Sequence, residues 1–180
     1  MDSFALGSFS MMREQLAAAA VDLFEGYGMD VERRPSAEAP GDTQGVFAVS
    51  AIGFSADKLR GALVLVAATP AVLAWRCAID GGHEVTDICD TIGEFSNMLL
   101  GRLKGKLLPE GLSIHVSTPT TALAQNLSLA PSGAISTWLI FDGPTWHVAV
   151  RLHASFDDGF RLHRNELAGA PAEAGDMLIF

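Results

Sequence analysis

Long hydrophobic runs are scarce in this chain. The nearest candidate, "GALVLVAATPAVLAW" over residues 61–75, is split by Pro70 and is shorter than the roughly 18 apolar residues that a membrane helix needs. The opening residues, "MDSFALGSFSMMREQ", lack the basic start and the long apolar stretch of a signal peptide. We therefore expect a cytoplasmic protein that neither crosses nor enters a membrane.

Cysteine is nearly absent as well, and so are the common catalytic motifs. Cys77 and Cys89 are the only two cysteines; they form no CxxC pair and are too few for a disulfide framework. No GxSxG, P-loop or GxGxxG sequence occurs. The histidines do not have the spacing of a zinc site, so we expect no metal and no cofactor bound to the chain itself. These absences exclude several large enzyme classes.

Positive charge is also in short supply. Lysine and arginine number 12 against 21 acidic residues, which gives a net charge of −9. Such a surface repels a phosphate backbone, so nucleic acid is an unsuitable partner, and an acidic membrane surface is disfavoured for the same reason.

What the chain does contain predicts a compact α+β domain. Hydrophobic residues make up 49% and charged residues 18%, which is typical of a compact globular protein and argues against disorder. Periodicity and turn residues predict an antiparallel sheet of about five to six strands with long helices packed on one face. We expect one domain over residues 1–180, with a core of about 11–156 and a C-terminal extension over 157–180. The predicted elements are a helix from an N-cap at Ser10 to Gly26, strands over 45–55 and 60–69 joined by a turn at 56–58, a short helix over 70–77, a helix from Glu84 or Asp87, a strand over 112–120, and a hairpin over 134–156.

The helix within "DTIGEFSNMLLGRLKGKL", residues 90–107, has an unusual polar face. At about 100° per residue, one stripe is apolar and the opposite face aligns an acid, an amide and a glycine. The apolar stripe is Ile88, Ile92, Phe95, Leu99 and Leu103, and the polar line is Asp90, Glu94, Asn97, Gly101 and Lys104. A glycine inside a helix costs on the order of 1 kcal/mol against alanine, and asparagine is a mediocre helix former. The polar line is either an ordinary solvated face or a surface that another molecule approaches closely at Gly101.

The spacing D-x-x-x-E-x-x-N, followed by Gly101 and later by Pro119, resembles the signature of the CheC/CheX/FliY phosphatases. Asp90 matches the first position, and Glu94 and Asn97 match the paired catalytic positions. The order of predicted elements is also similar, over roughly residues 11–156. The N-terminal helix has Glu14 followed by Ala17 where a second motif would need asparagine, so a single motif per chain is closest to the CheX type.

The resemblance implies a substrate and roles for these residues. The substrate is the aspartyl phosphate of a response-regulator receiver domain of the CheY type, which carries its own Mg²⁺ and lysine. Asn97 is expected to position the attacking water, because an amide both accepts and donates hydrogen bonds. Glu94 is expected to pair with the receiver lysine, while Asp90, Gly101 and Lys104 contact the partner.

The sequence is also compatible with two other function classes. A protein of the same fold could bind receivers as a non-catalytic adaptor, or could be a component of the flagellar switch. We also expect a homodimer, because the predicted hairpin over 134–156 is long, apolar and rich in strand formers, and a free edge of that kind favours pairing. The resemblance to the CheX type implies the same.

Overall fold

The computed structural model of the protein describes residues 3–34, 45–80, 87–125 and 135–160. Within these ranges the chain forms three helices and seven strands. The helices are α1 (Ser3–Glu25), α2 (Thr69–Asp80) and α3 (Ile88–Leu107). The strands are β1 (Glu32–Arg33), β2 (Val46–Ala56), β3 (Leu59–Ala68), β4 (His115–Val116), β5 (Thr120–Gln125), β6 (Ile135–Asp142) and β7 (His147–Phe156).

The strands form one antiparallel sheet in the order β1-β6-β7-β3-β2, and both β4 and β5 pair with the far side of β2. The two long hairpins, β2–β3 and β6–β7, are joined by pairing of β3 with β7. The α+β class and the antiparallel sheet predicted from the sequence are therefore confirmed, and the described residues form seven strands rather than five to six.

One face of the sheet carries all three helices. Alternate residues of β2, β3 and β7, such as Ile52, Leu63 and Val150, point to the same side and pack with residues of α1, α2 and α3 in the main core. Aromatic side chains fill its centre: Phe24 of α1, Trp75 of α2 and Phe95 of α3 are each at most 1% exposed. This packing fixes α3 against the sheet and leaves its polar face outward.

Helix α1 begins earlier than predicted. The sequence suggested an N-cap at Ser10, but the helix starts at Ser3 and Ser10 lies exposed within it. The reason is burial: Ala5 and Phe9 continue the apolar stripe of Met12 and Leu16 at helical spacing, so the preceding turns also pack on the core. The C-terminal boundary agrees with the prediction.

The segment 112–120 differs more from the prediction of one strand. Only His115–Val116 forms a strand, and β5 begins immediately after Pro119. Between them Ser117 binds Gly53 twice, since its backbone N–H donates to the Gly53 carbonyl and its Oγ accepts from the Gly53 N–H, each at 2.9 Å. Because Pro119 has no N–H to donate, the ladder with β2 is interrupted there and resumes at Thr120.

Less of the β6–β7 hairpin lies at the sheet edge than the prediction of a homodimer assumed. Strand β7 is an inner strand with β6 on one side and β3 on the other, so only β6 of the hairpin lies at the sheet edge. The end of β6, at Phe141 and Asp142, pairs with β1. The Arg34 N–H also donates to the Ile140 carbonyl at 3.0 Å, so residues 135–139 are the only part of the hairpin that the described chain leaves as an edge. Dimerisation stays a prediction.

No helix among the described residues is both long and apolar enough to span a membrane. Of the predicted C-terminal extension, residues 157–160 turn back so that Phe160 packs on Phe156, and residues 161–180 lie outside the described residues. Glu84, the alternative predicted start of α3, also lies outside them. The division of the chain into a core and an extension stays a prediction.

Candidate functional site

Helix α3 presents the predicted polar line to solvent. Its start is fixed by Asp87, whose Oδ1 accepts a hydrogen bond from the Cys89 N–H at 2.8 Å, as an N-cap does. Four residues of the apolar stripe are fully buried and Ile88 is half-buried, whereas all five residues of the polar line are exposed: Asp90, Glu94, Asn97, Gly101 and Lys104. The faces predicted from the spacing are confirmed; the roles of the residues stay a prediction.

The polar line is long enough to form a docking surface. Asp90 and Lys104 lie about 21 Å apart along the helix axis at 1.5 Å per residue. Glu94 and Asn97 are neighbours on the helix surface, one turn apart. At Gly101 a Cβ atom would meet no heavy atom within 4 Å, so this glycine is required by nothing in the described chain and leaves a flat patch one turn beyond Asn97.

A cleft of about 320 Å³ adjoins the first half of this line. Asp90, Glu94 and Asn97 form one wall, and Pro119 and Thr121 at the start of β5 form another. Between the walls lies Gly93, where a Cβ would come within 3.2 Å of Thr121 Cγ2 and 3.9 Å of Pro119 Cγ. Pro119, singled out from the sequence, thus lies beside the motif because Gly93 lets the strand approach the helix.

Arg76 is a further residue of the cleft, and sequence reasoning missed it. Its Nη1 lies 3.6 Å from Glu94 Oε2, and its side chain is 23% exposed against 63% for Glu94. The helices are held together one residue away, where the rings of Trp75 and Phe95 pack with their centroids 4.8 Å apart. A single arginine in a short helix gave no sequence signal, because its position depends on how α2 packs on α3.

Two lysines near the end of α3, Lys104 and Lys106, differ in their contacts. Lys106 forms an ion pair with Asp22 of α1 at 2.6 Å, so it joins two helices. Lys104 is exposed on the same face as Asn97. Of the cations that could attract an acidic partner, Lys104 is therefore better placed than Lys106, and it also complements the helix dipole.

Helix α1 does not supply a second motif. Ala17, at the position where asparagine would be needed, is buried at 5% exposure. Glu14 is held by Arg33, whose Nη1 donates to Oε2 at 2.8 Å. That hydrogen bond, with a smaller contribution from Arg13, lowers the pKa of Glu14 to about 2 against a smaller opposing effect of burial. Glu14 is a structural ion-pair partner, in agreement with a single motif per chain.

Among the described residues, His115, His147, His153 and Arg151 lie on the sheet face opposite the helices. Arg151 Nη2 donates to Ser136 Oγ at 3.2 Å, and its guanidinium lies 5.7 Å from the centre of the Trp138 ring. Burial, with a smaller effect of the Arg151 charge, lowers the pKa of His153. Across the described ranges no three residues among His, Cys, Asp and Glu come together as metal ligands, and the expectation that the chain binds no metal stays a prediction.

No protein-family model and no curated protein matches the sequence. Solved structures do match. CheX from Vibrio vulnificus superposes with a TM-score of 0.71 at 13% identity, covering 81% of this chain and 99% of that one. A CheC-like superfamily protein from Shewanella sp. PV-4 gives a TM-score of 0.70 at 16% identity over 86% and 99% of the two chains. CheX in a complex with CheY, BeF₃ and Mg²⁺ from Borrelia burgdorferi gives 0.59 at 13% identity over 81% and 96%. The resemblance inferred from the motif is thus confirmed at the level of structure: the chain has the fold of CheX and the CheC-like proteins.

Proposed function

We propose that this protein is a phosphatase that hydrolyses the aspartyl phosphate of a response-regulator receiver domain. The observation that carries the proposal is the exposed line of Asp90, Glu94 and Asn97 beside a cleft, on the helix where the motif was recognised. The similar CheX was solved in a complex with CheY, BeF₃ and Mg²⁺, which supports a receiver domain as the partner. In this proposal the Mg²⁺ is bound by the receiver domain and not by this chain.

Asn97 acts on the water. An aspartyl phosphate is a reactive mixed anhydride, and in phosphoryl transfer positioning and charge stabilisation supply most of the catalysis. The Asn97 side-chain oxygen accepts a hydrogen bond from the water and aligns it with the scissile P–O bond, while its NH₂ donates to a phosphoryl oxygen. The water oxygen bonds to phosphorus, the P–O bond to the receiver aspartate breaks, and inorganic phosphate and a free carboxylate result.

Glu94 fixes the register of docking. It lies one turn before Asn97, and its carboxylate is 63% exposed. A charge-assisted hydrogen bond from the receiver lysine to this carboxylate places the phosphoryl group in front of Asn97. Because this carboxylate is exposed on the face that meets the receiver, docking is its main role.

The remaining residues of the line extend the contact. Gly101 allows the partner to approach the helix backbone closely, and Asp90 and Lys104 make polar contacts at the two ends. Local attraction between Lys104 and the negatively charged phosphoryl site of the receiver offsets some of the repulsion from this chain's own net charge of −9.

The test is the decay of a phosphorylated receiver domain with Mg²⁺, measured with and without catalytic amounts of this protein. We expect the decay rate to rise in proportion to the protein added, and inorganic phosphate to appear at the same rate. Binding to a beryllofluoride-treated receiver without any acceleration of decay would contradict the phosphatase proposal and favour a receiver-binding adaptor.

A further inference from the structure

We infer that Arg76 is a positioning residue for Glu94: it preorganises the carboxylate that docks the partner. The inference rests on the proposed function and adds a residue to it. It begins from the ion pair between helices α2 and α3, in which Arg76 Nη1 lies 3.6 Å from Glu94 Oε2 inside the cleft that also contains Asn97.

Arg76 is better anchored than its partner. Its side chain is 23% exposed, while that of Glu94 is 63% exposed. The residue before it, Trp75, is fully buried against Phe24 and Phe95, with ring centroids 5.4 Å and 4.8 Å apart. The guanidinium is therefore carried by a helix that the aromatic core holds in place, and it biases the rotamer of the exposed Glu94 carboxylate.

The pair leaves Glu94 able to bind a second cation. A carboxylate has two oxygens with about four acceptor positions, so Arg76 at Oε2 leaves Oε1 to accept from a lysine. A separation of 3.6 Å is a loose ion pair and too long for a strong hydrogen bond. Arg76 therefore restricts Glu94 without neutralising it in a closed pair.

The consequence lies in binding rather than in chemistry. A glutamate that is already restricted loses less side-chain freedom when the receiver lysine docks. Partly exposed ion pairs contribute little, so loss of the guanidinium is expected to raise KM by about threefold to fivefold. Because Asn97 is untouched, kcat should change by less than about twofold.

The experiment compares Arg76→Gln with Arg76→Lys and with Arg60→Gln, which removes an equal charge from an exposed position on β3. We expect Arg76→Gln to raise KM for the phosphorylated receiver and Kd for the beryllofluoride-treated receiver. Arg76→Lys should recover part of this loss, and Arg60→Gln should behave as the wild type. In a Glu94→Gln background, Arg76→Gln should have no further effect.

Three results would overturn the inference. Arg76→Gln could have the same KM and Kd as the wild type, it could raise KM equally in the Glu94→Gln background, or it could lower kcat with KM unchanged. Wild-type protein that neither hydrolyses nor binds the receiver would instead refute the proposed function. In that case the three-bond NMR couplings of the Glu94 side chain still decide the inference, since they should report one dominant χ1 rotamer in the wild type and averaging in Arg76→Gln. Equal couplings in both proteins would contradict it.

Discussion

Replacing Gly101 with leucine separates the two interpretations of the polar face of α3. Gly101 lies inside the helix, is exposed, and has no heavy atom within 4 Å of the position of an added Cβ. Leucine is nearly as good a helix former as alanine, so the substitution should stabilise the free protein by about 0.5–1 kcal/mol. For a chain of this size that corresponds to a rise of roughly 1–4 °C in Tm.

The effect on docking has the opposite sign. If the receiver packs closely over Gly101, four additional carbon atoms must be accommodated in that contact. Overpacking of a well-packed contact costs about 1–3 kcal/mol, which corresponds to roughly a fivefold to 150-fold loss of binding. We therefore expect kcat/KM for the phosphorylated receiver to fall by at least about fivefold, mainly through KM.

Gly105→Leu is the matched control on the same helix. Gly105 is also exposed and has equal open space, but it lies about 12 Å along the axis from Asn97. It should give a similar or smaller gain in Tm with little loss of activity. The assay is thermal unfolding alongside steady-state phosphate release for both variants. A Gly101→Leu protein that is stabilised and hydrolyses the receiver with wild-type KM would refute docking over this helix face.

Three other predictions concern pH, the core and assembly. Burial and the Arg151 charge keep the pKa of His153 in the folded protein below its ordinary value of 6.5. The unfolded chain therefore binds more protons near this pH, and the free energy of unfolding falls as the pH drops through 6.5. Between about pH 7.5 and pH 5, the Tm of the wild type should decrease by more than the Tm of His153→Gln, and equal decreases would contradict this. Within the described chain Ser96 Oγ is buried without a hydrogen-bond partner, so Ser96→Ala should stabilise the protein by about 0.5–1 kcal/mol in urea unfolding; destabilisation would reveal a partner for the hydroxyl. The protein should be a homodimer, with a mass in light scattering about twice that of the 19.0 kDa chain, and a monomer at tens of micromolar would contradict it.

The sequence predicted those elements whose periodicity is strong. The buried and exposed faces of α3 follow from 3.6-residue spacing, and the β2–β3 and β6–β7 hairpins follow from continuous apolar runs divided by short turns. Strand β5 was missed because Ala122 and Leu123 are exposed and the segment lacks the alternation of a half-buried strand. Its pairing depends on β2, which is distant in sequence.

The sequence also predicted only those residues of the candidate site that a local pattern places together. Asp90, Glu94 and Asn97 were found because they lie on one helix, where spacing alone places them together. Arg76 was not found, since its approach to Glu94 depends on the packing of Trp75 against Phe95, and no local pattern encodes contact between two helices. The same limit applies to Thr121, which reaches the cleft only through the close approach at Gly93.

The most direct test of the central claim is the rate at which Asn97→Ala hydrolyses a phosphorylated receiver. Asn97 is exposed, so the free energy of unfolding should change by no more than about 0.5 kcal/mol. Loss of the group that orients the water should lower kcat by roughly 100-fold or more, while binding of the beryllofluoride-treated receiver survives. Gln125→Ala removes an exposed amide from β5 and should retain wild-type kinetics. An Asn97→Ala protein that folds normally and hydrolyses the receiver at the wild-type rate would contradict the account.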